Sequence, residues 1–175
     1  MTQENFKRLL PRIKLLVFDV DGVLTDGSIH CFNDGEQVRV MNIKDGYALQ
    51  LAIKKGLRIL IISGGKSEAI IKRLNLLGVE DIYMGVHHKL PVLQQYLLNH
   101  QIGLDETLYM GDDIPDMECL KHVSASTCPA DAANDIRSIC LYVSHQAGGK
   151  GCVRDIIEQV LKVQNMWLDA DAHTW

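Results

Sequence analysis

The chain has 175 residues, of which 47% are hydrophobic, and its formal net charge is −4. We expect a single domain over residues 1–175, because this length can bury a core of its own. No apolar stretch approaches the roughly 20 residues that span a bilayer, and no signal-peptide core opens the chain. No long basic run marks a nucleic-acid surface either. The sequence therefore predicts a cytoplasmic protein whose partner is neither a membrane nor a nucleic acid.

The predicted elements alternate between strands and helices. Strands are predicted over residues 14–18, 57–62, 82–84, 107–110, 125–128 and 141–143. Helices are predicted over residues 46–55, 67–77, 90–99, 117–121 and 132–138, followed by a glycine-rich turn and last helix over 147–165. This alternation indicates right-handed βαβ units, so we expect an α/β fold with three layers, in which helices cover both faces of the sheet. Ligands of such sheets bind at the carboxyl ends of the strands.

A β-hairpin is predicted at about residues 28–43, where two extended arms flank Asn33, Asp34 and Gly35. An isolated hairpin is marginal in water, so this one is expected to pack against another surface, and a second copy of the chain is a candidate. Asp45 is expected to cap the helix that follows. The last residues, 168–175, are expected to form a loose tail.

Two carboxylates come directly after the first strand. Asp19 and Asp21 alternate with Val20, so both acids can lie on one side of the turn that Gly22 permits. Charges this close repel each other unless a cation lies between them, and oxygen ligands of this kind suit Mg²⁺. A strand followed by an ordinary acidic loop has the same short pattern.

Further polar groups follow the later strands, namely Ser63, Lys89, Asp112, Asp113 and Asp116. Taken singly, a serine here can be a helix cap and a lysine a solvated surface group. Phosphoryl transfer needs a nucleophile, a proton donor, cations that neutralise charge and donors that hold the phosphate. These groups, in this order and at strand ends, therefore predict phosphoryl-transfer chemistry.

The glycine-rich basic turn over residues 147–155 precedes the last helix. Lys150 is flanked by glycines, an arrangement that lets a lysine approach an anion closely. A flexible linker has the same composition, and both interpretations stay open.

At these positions the sequence resembles the haloacid dehalogenase (HAD) superfamily of aspartate-nucleophile phosphatases. The four superfamily motifs correspond to residues 19–22, Ser63, Lys89 and residues 111–116. The resemblance extends to a small capless branch typified by 3-deoxy-D-manno-octulosonate 8-phosphate phosphatases, through residues 19–27, 42–47 and 147–155. It covers residues 13–163 and implies a mostly parallel, Rossmann-like HAD sheet with a small hairpin insertion. The intervals between the motifs leave no room for a cap domain.

The resemblance also implies a role for each motif residue. Asp19 would be the nucleophile that forms an aspartyl phosphate, and Asp21 would be the general acid and then the base. Ser63 and the following amide would hold the phosphoryl oxygens, and Lys89 would counter their charge. Asp19, Asp112 and the backbone carbonyl of Asp21 would bind Mg²⁺.

Other residues are implied to support the site or to contact the substrate. Asp116 would orient Lys89 or a metal-bound water, and Asp113 would lie farther from the metal. Substrate contacts are expected from Asp21, Asn42, Ile43, Lys44, Asp45, Gly46, Gly64, Gly65, Arg73, Lys89 and Lys150. Arg73 and Lys150 are the candidates for a sugar carboxylate. Some relatives carry a basic residue where Gly65 or Gln50 stands.

The function implied is hydrolysis of a small phosphorylated sugar acid. We expect 3-deoxy-D-manno-octulosonate 8-phosphate as substrate, giving Kdo and phosphate in lipopolysaccharide precursor synthesis, with a nonulosonate (KDN or N-acylneuraminate) 9-phosphate as the alternative. The resemblance further implies a homotetramer whose hairpins associate so that a neighbouring subunit closes the site. A phospho-receiver module fits less well, because its acids and hydroxyl come in another order. A non-enzymatic assembly module would not need these acids.

Overall fold

The computed structural model describes residues 5–174, which form a six-stranded sheet with helices on both of its faces. The strand order is β5-β4-β1-β6-β7-β8, and every neighbouring pair is parallel. The strands are β1 Leu15–Phe18, β4 Arg58–Ser63, β5 Asp81–Met84, β6 Thr107–Met110, β7 Ala125–Cys128 and β8 Tyr142–Val143. The α/β fold predicted from the alternation is confirmed.

Seven α-helices are described: α1 Phe6–Leu9, α2 Ile43–Lys54, α3 Glu68–Leu76, α4 Lys89–His100, α5 Met117–His122, α6 Asn134–Ile139 and α7 Cys152–Val163. The sheet divides the core in two, as alternate residues of β1 show. Leu16 and Phe18 pack with α2, α3 and α7, whereas Leu15 and Val17 pack with α4, α5 and α6. The molecule therefore has three layers, with the sheet between two layers of helices.

The central position of β1 brings the predicted motifs together. Its last residue, Phe18, pairs with Ile61 of β4 on one side and with Met110 of β6 on the other. Ser63 is the last residue of β4, and Asp112 lies two residues beyond β6. Because the three strands are parallel, their carboxyl ends lie at the same edge of the sheet.

The hairpin is shorter than predicted. Its strands, β2 His30–Cys31 and β3 Gln37–Val38, have two residues each and pair antiparallel. Both strands are exposed and form a separate sheet, so neither a buried face nor a neighbouring strand extends them. Over the described residues, only this hairpin and α2 occupy the interval between the acidic turn and β4, and no cap domain is inserted there.

The start of α2 corrects one prediction. The helix begins at Ile43, and Asn42 caps it, because Asn42 Oδ1 accepts a hydrogen bond from Lys44 N at 2.8 Å. The prediction that Asp45 is the cap is wrong. Asp45 is buried within the helix, where its Oδ1 accepts from Arg154 N at 2.7 Å and so joins α2 to α7.

The end of the chain packs against α2, whereas a loose tail was expected. A short 3₁₀ turn, Ala170–His173, follows α7, and the Tyr47 hydroxyl donates to Ala172 O at 2.5 Å. Lys55 Nζ lies 2.5 Å from Asp169 Oδ2. Trp175 lies outside the described residues. Within residues 5–174, none of the helices combines the length and the apolar character needed to cross a membrane.

Candidate active site

A cavity of ≈ 470 Å³ lies at the carboxyl ends of β1, β4 and β6. Many of the predicted site residues line it: Asp19, Asp21, Ser63, Gly64, Gly65, Lys89, Asp112, Asp113 and Asp116. Gly27, Val86, His87 and Pro115 complete the lining. The sheet therefore brings residues from four separate motifs into one polar cavity.

A buried lysine lies between two carboxylates at the base of this cavity. Lys89 Nζ is 2.9 Å from Asp19 Oδ1 and 2.7 Å from Asp116 Oδ1. Burial by itself would lower the pKa of Lys89, but the charges of Asp116 and Asp19 outweigh it, and the pKa is raised. The lysine therefore carries a permanent positive charge beside Asp19.

Asp116 holds this lysine in place. Its Oδ1 also accepts from the Tyr109 hydroxyl at 2.6 Å, and its Oδ2 accepts from Asp112 N at 3.2 Å. Burial and the nearby Asp116 raise the pKa of the Tyr109 phenol well above its usual value, so this hydroxyl remains a donor. Sequence reasoning missed Tyr109, because an aromatic residue within a buried strand is ordinary core composition.

Negative charge exceeds positive charge among the buried groups. Oxygen atoms from Asp19, Asp112 and Asp116 lie within 4.8 Å of one another. Burial, and then Asp116, raise the pKa of Asp19 to about 6. Burial, and then Asp19 and Asp116, raise the pKa of Asp112 to about 7. Such clustered carboxylates are the donor set that suits Mg²⁺, which would relieve their repulsion.

The hydrogen bonding of each carboxylate indicates which ones are suited to hold the ion. The Asp116 carboxylate accepts hydrogen bonds from three donors, whereas the carboxylates of Asp19 and Asp112 face the cavity with fewer hydrogen-bond partners. Asp112 lies against the turn after β1, since a Cβ on Gly22 would come within 2.0 Å of Asp112 Oδ2. Gly22 also has φ +87°, a conformation that favours glycine. Only a glycine at this position lets Asp112 approach the acidic turn so closely.

The loop after β4 also lines the cavity. Ser63 Oγ accepts from Gly65 N at 3.2 Å, which leaves the hydroxyl proton free to be donated. Gly65 O in turn accepts from Gly85 N, and Ser63 O accepts from Val86 N, both at 2.9 Å. The loop is therefore held in place by the segment that follows β5.

One cavity residue has a partner that sequence reasoning missed. Arg39, just beyond β3, donates from Nε to Asp21 Oδ1 at 2.6 Å and from a terminal nitrogen to Asp21 Oδ2 at 3.2 Å. The Arg39 side chain is 5% exposed. A single arginine beside an exposed hairpin gives no signal in one sequence, because its partner lies 18 residues away.

Several predicted substrate contacts lie away from this cavity, namely Asn42, Ile43, Lys44, Asp45, Gly46, Arg73 and Lys150. Lys150 pairs with Asp26 at 3.2 Å, and it lines a separate cavity of ≈ 480 Å³ along α7 together with Lys44. Asn42 Nδ2 donates to Gly149 O at 3.2 Å, so this group connects α2 to the glycine-rich turn. The substrate roles of these residues stay predictions.

Known proteins are similar to this chain in sequence and in structure. No family model matches the chain. The chain is 36% identical over 152 residues to 3-deoxy-D-manno-octulosonate 8-phosphate phosphatase KdsC of Salmonella typhi, which covers 87% of this chain and 81% of the relative. The solved structure of this phosphatase from Yersinia pestis has a TM-score of 0.91 at 31% identity, covering 93% of this chain and 88% of that one.

A second solved structure shows ligands. The phosphatase of that name from Moraxella catarrhalis, in complex with magnesium, phosphate and KDO, has a TM-score of 0.89 at 30% identity, covering 94% of each chain. A parallel sheet whose strand ends present an aspartate pair, a hydroxyl, a lysine and later acids is the arrangement of the HAD-superfamily phosphatases, which are phosphoric monoester hydrolases. The relatives show to which family of HAD-superfamily phosphatases the chain belongs. The chain belongs to the 3-deoxy-D-manno-octulosonate 8-phosphate phosphatase family of the HAD superfamily.

Proposed function

We propose that the protein hydrolyses 3-deoxy-D-manno-octulosonate 8-phosphate to Kdo and phosphate, with Mg²⁺ as its cofactor. The observation that carries this proposal is the cavity in which Asp19, Asp21, Ser63, Lys89 and Asp112 converge. The relatives named for this substrate, and the Moraxella catarrhalis protein solved with magnesium, phosphate and KDO, support it. The predicted cytoplasmic location and lipopolysaccharide role follow from this substrate and are part of the proposal.

The proposed reaction begins when a carboxylate oxygen of Asp19 attacks phosphorus and the bond to the bridging sugar oxygen breaks. Asp21 gives a proton to that departing oxygen. Lys89, 2.9 Å from Asp19 Oδ1, offsets the negative charge that collects around the phosphoryl group. The Ser63 hydroxyl, which accepts from Gly65 N, has a proton to donate to a phosphoryl oxygen.

Water completes the proposed reaction. It attacks phosphorus of the aspartyl phosphate and transfers a proton to Asp21 as the bond between Asp19 and phosphorus breaks. Phosphate leaves, and the Asp19 carboxylate is regenerated. Asp19, Asp112 and the backbone carbonyl of Asp21 would hold the cation. When bound, Mg²⁺ supplies positive charge that neutralises the phosphoryl oxygens.

We also propose that the chain assembles as a homotetramer through its hairpins. Apolar side chains on and beside the hairpin are exposed in the single chain: Ile29 41%, Phe32 55%, Val38 39%, Val40 57% and Ile43 68%. Monomeric proteins rarely expose so many large apolar groups together. A second copy of the same surface can bury them through a symmetric contact.

The test is a turnover screen across phosphorylated keto acids of eight and nine carbons, with Mg²⁺ and with excess chelator. We expect the highest kcat/KM for 3-deoxy-D-manno-octulosonate 8-phosphate, and no turnover in chelator. Faster turnover of a nonulosonate 9-phosphate would overturn the substrate assignment. Absence of phosphate release from every compound, p-nitrophenyl phosphate included, would overturn the phosphatase activity itself.

A further inference from the structure

His87 lines the active-site cavity, but the proposed reaction does not use it. It belongs to the loop between β5 and α4 and comes two residues before Lys89. His87 is exposed, whereas Asp19, Ser63 and Lys89 are each 7% exposed or less. The reacting groups therefore lie at the base of the cavity, and His87 lies at its mouth.

The backbone on both sides of His87 is attached to the base of the cavity. Val86 N, directly before it, donates to Ser63 O at 2.9 Å. Two residues after it, the buried Lys89 Nζ lies 2.9 Å from Asp19 Oδ1. The position of His87 relative to the attacking carboxylate is therefore defined, although its side chain is in contact with solvent.

The phosphate of a substrate must lie at the base of the cavity. Asp19 attacks phosphorus, and reacting atoms must first approach each other to about 3 to 3.5 Å. The cavity volume of ≈ 470 Å³ is in the range of small-molecule sites, so it has room for more than the phosphate. A sugar joined to this phosphate then extends toward the mouth, where His87 lies.

Few side chains of the cavity can donate a hydrogen bond to that sugar. The described lining residues include five carboxylates and one lysine, and this lysine is at the base. An ionised carboxylate accepts hydrogen bonds but donates none. An imidazole donates from a ring nitrogen in either tautomer, and from both nitrogens when it is protonated. His87 is therefore able to donate to a carboxylate or hydroxyl oxygen of the sugar.

Asp113 is another exposed polar residue of the lining. Its charge repels a substrate carboxylate, because like charges at short distance raise the energy of the complex. This repulsion favours a bound orientation in which the carboxylate lies away from Asp113. His87 is the exposed lining residue, among those described, whose side chain offers a donor there.

We propose that His87 is a specificity-determining residue that donates a hydrogen bond to the sugar-acid part of the substrate and not to its phosphoryl group. It transfers no proton in the reaction. Its contact lowers the KM of a phosphorylated sugar acid relative to phosphate esters that have no oxygen at that place. This inference rests on the proposed function, since that function supplies the sugar acid.

The test measures the two products separately, as inhibitors of p-nitrophenyl phosphate hydrolysis. Kdo carries the sugar acid without the phosphate, and inorganic phosphate binds only at the base. In His87→Ala we expect the inhibition constant of Kdo to rise about tenfold, the size expected for one lost hydrogen bond to a charged or polar oxygen. The inhibition constant of phosphate should change less than about twofold. The KM of Kdo 8-phosphate should rise with that of Kdo, while kcat stays within about threefold.

Two further variants separate the contact from the fold. His87→Gln keeps an amide N–H donor, so its effect on Kdo should be smaller, about threefold. His88→Ala is the matched control, because His88 is the next residue, is also exposed and does not line the cavity. The His88 side chain makes no capping hydrogen bond to α4, so both inhibition constants should stay unchanged in this variant.

Two results in His87→Ala would overturn the inference: an unchanged inhibition constant of Kdo, or equal rises for Kdo and phosphate. The second result would indicate a contact with the phosphoryl group or a structural role. If the wild type hydrolyses p-nitrophenyl phosphate but not Kdo 8-phosphate, the proposed substrate fails separately. The comparison is then made with the sugar phosphate that is hydrolysed fastest and its free sugar. Equal effects on that sugar and on phosphate, or hydrolysis of no sugar phosphate at all, contradict the role of His87.

Discussion

Without Mg²⁺, the acidic cluster should make the protein less stable as pH rises from 4 to 8. The pKa of Asp19 is raised from 3.8 to about 6, and that of Asp112 from 3.8 to about 7. One pKa unit corresponds to about 1.4 kcal/mol, so the Asp19 shift alone amounts to about 3 kcal/mol. By the same conversion the Asp112 shift amounts to about 4 kcal/mol. Because the two carboxylates interact, their shifts are not additive, and we expect a combined loss on the order of 4 kcal/mol.

The direction follows from proton binding. Unfolded Asp19 and Asp112 ionise near pH 3.8, whereas the folded protein keeps these protons until about pH 6 and about pH 7. Between these values the folded state binds more protons, so the free energy of unfolding decreases as pH rises. The stabilisation is complete below pH 3.8 and is lost above about pH 7. Mg²⁺ binds the ionised carboxylates, so it should stabilise the protein more at pH 8 than at pH 5.

The assay is urea unfolding followed by circular dichroism at pH 5 and pH 8, in chelator and in saturating Mg²⁺. Asp45, whose pKa is also raised to about 6 by burial, contributes to the chelator curve in the same direction but does not line the cavity. The difference between the stabilisation by Mg²⁺ at pH 8 and at pH 5 therefore reports on the acidic cluster and not on Asp45. Asp112→Asn should abolish that difference, and Asp113→Asn, at an exposed position, should retain it. Equal stabilisation by Mg²⁺ at both pH values would refute the reasoning.

Two further predictions concern the glycine-rich turn and the hairpin. Gly148→Ala puts a Cβ 2.0 Å from a main-chain oxygen of the acidic turn, so we expect at least about 2 kcal/mol of destabilisation in urea unfolding. Gly64→Ala, whose nearest contact is 3.6 Å, is the control, and equal losses would contradict the packing argument. Phe32→Ser combined with Val40→Ser should lower the mass measured by light scattering, because it removes exposed apolar surface from the hairpin. Leu76→Ser, at a 78% exposed residue of α3, should not, and an unchanged mass in the double variant would contradict hairpin assembly.

The sequence predicted best the polar residues that come at or just beyond the end of a strand, because the parallel sheet determines where those residues lie. Asp19, Ser63 and Asp112 each follow a short apolar run, and adjacent parallel strands necessarily bring such positions to one edge. That these residues share one edge thus follows from the pattern, whereas the order of the strands is given by the structure. The cavity residues of these motifs could be predicted for this reason.

Tertiary contacts decided the features that the sequence could not specify. Asn42 and Asp45 are both good capping residues three positions apart, and the burial of Asp45 beneath α7 leaves Asn42 as the cap. The hairpin arms alternate as strands do, but exposure on both faces leaves them short. The partner of Arg39 lies 18 residues away, and one sequence carries no signal for such a pair. Tyr109 lies within a buried strand, where an aromatic residue is ordinary core composition, so its bond to Asp116 could not be foreseen.

Phosphate release by Asp19→Asn tests the central claim, that Asp19 is the nucleophile. Asp19 lies in the cavity beside Lys89, and the substitution keeps its size while removing the attacking carboxylate. With saturating Mg²⁺ and Kdo 8-phosphate, we expect release to fall by at least about 10⁴-fold, while Asp113→Asn keeps most of its activity. Release by Asp19→Asn at a rate near that of the wild type would contradict the account.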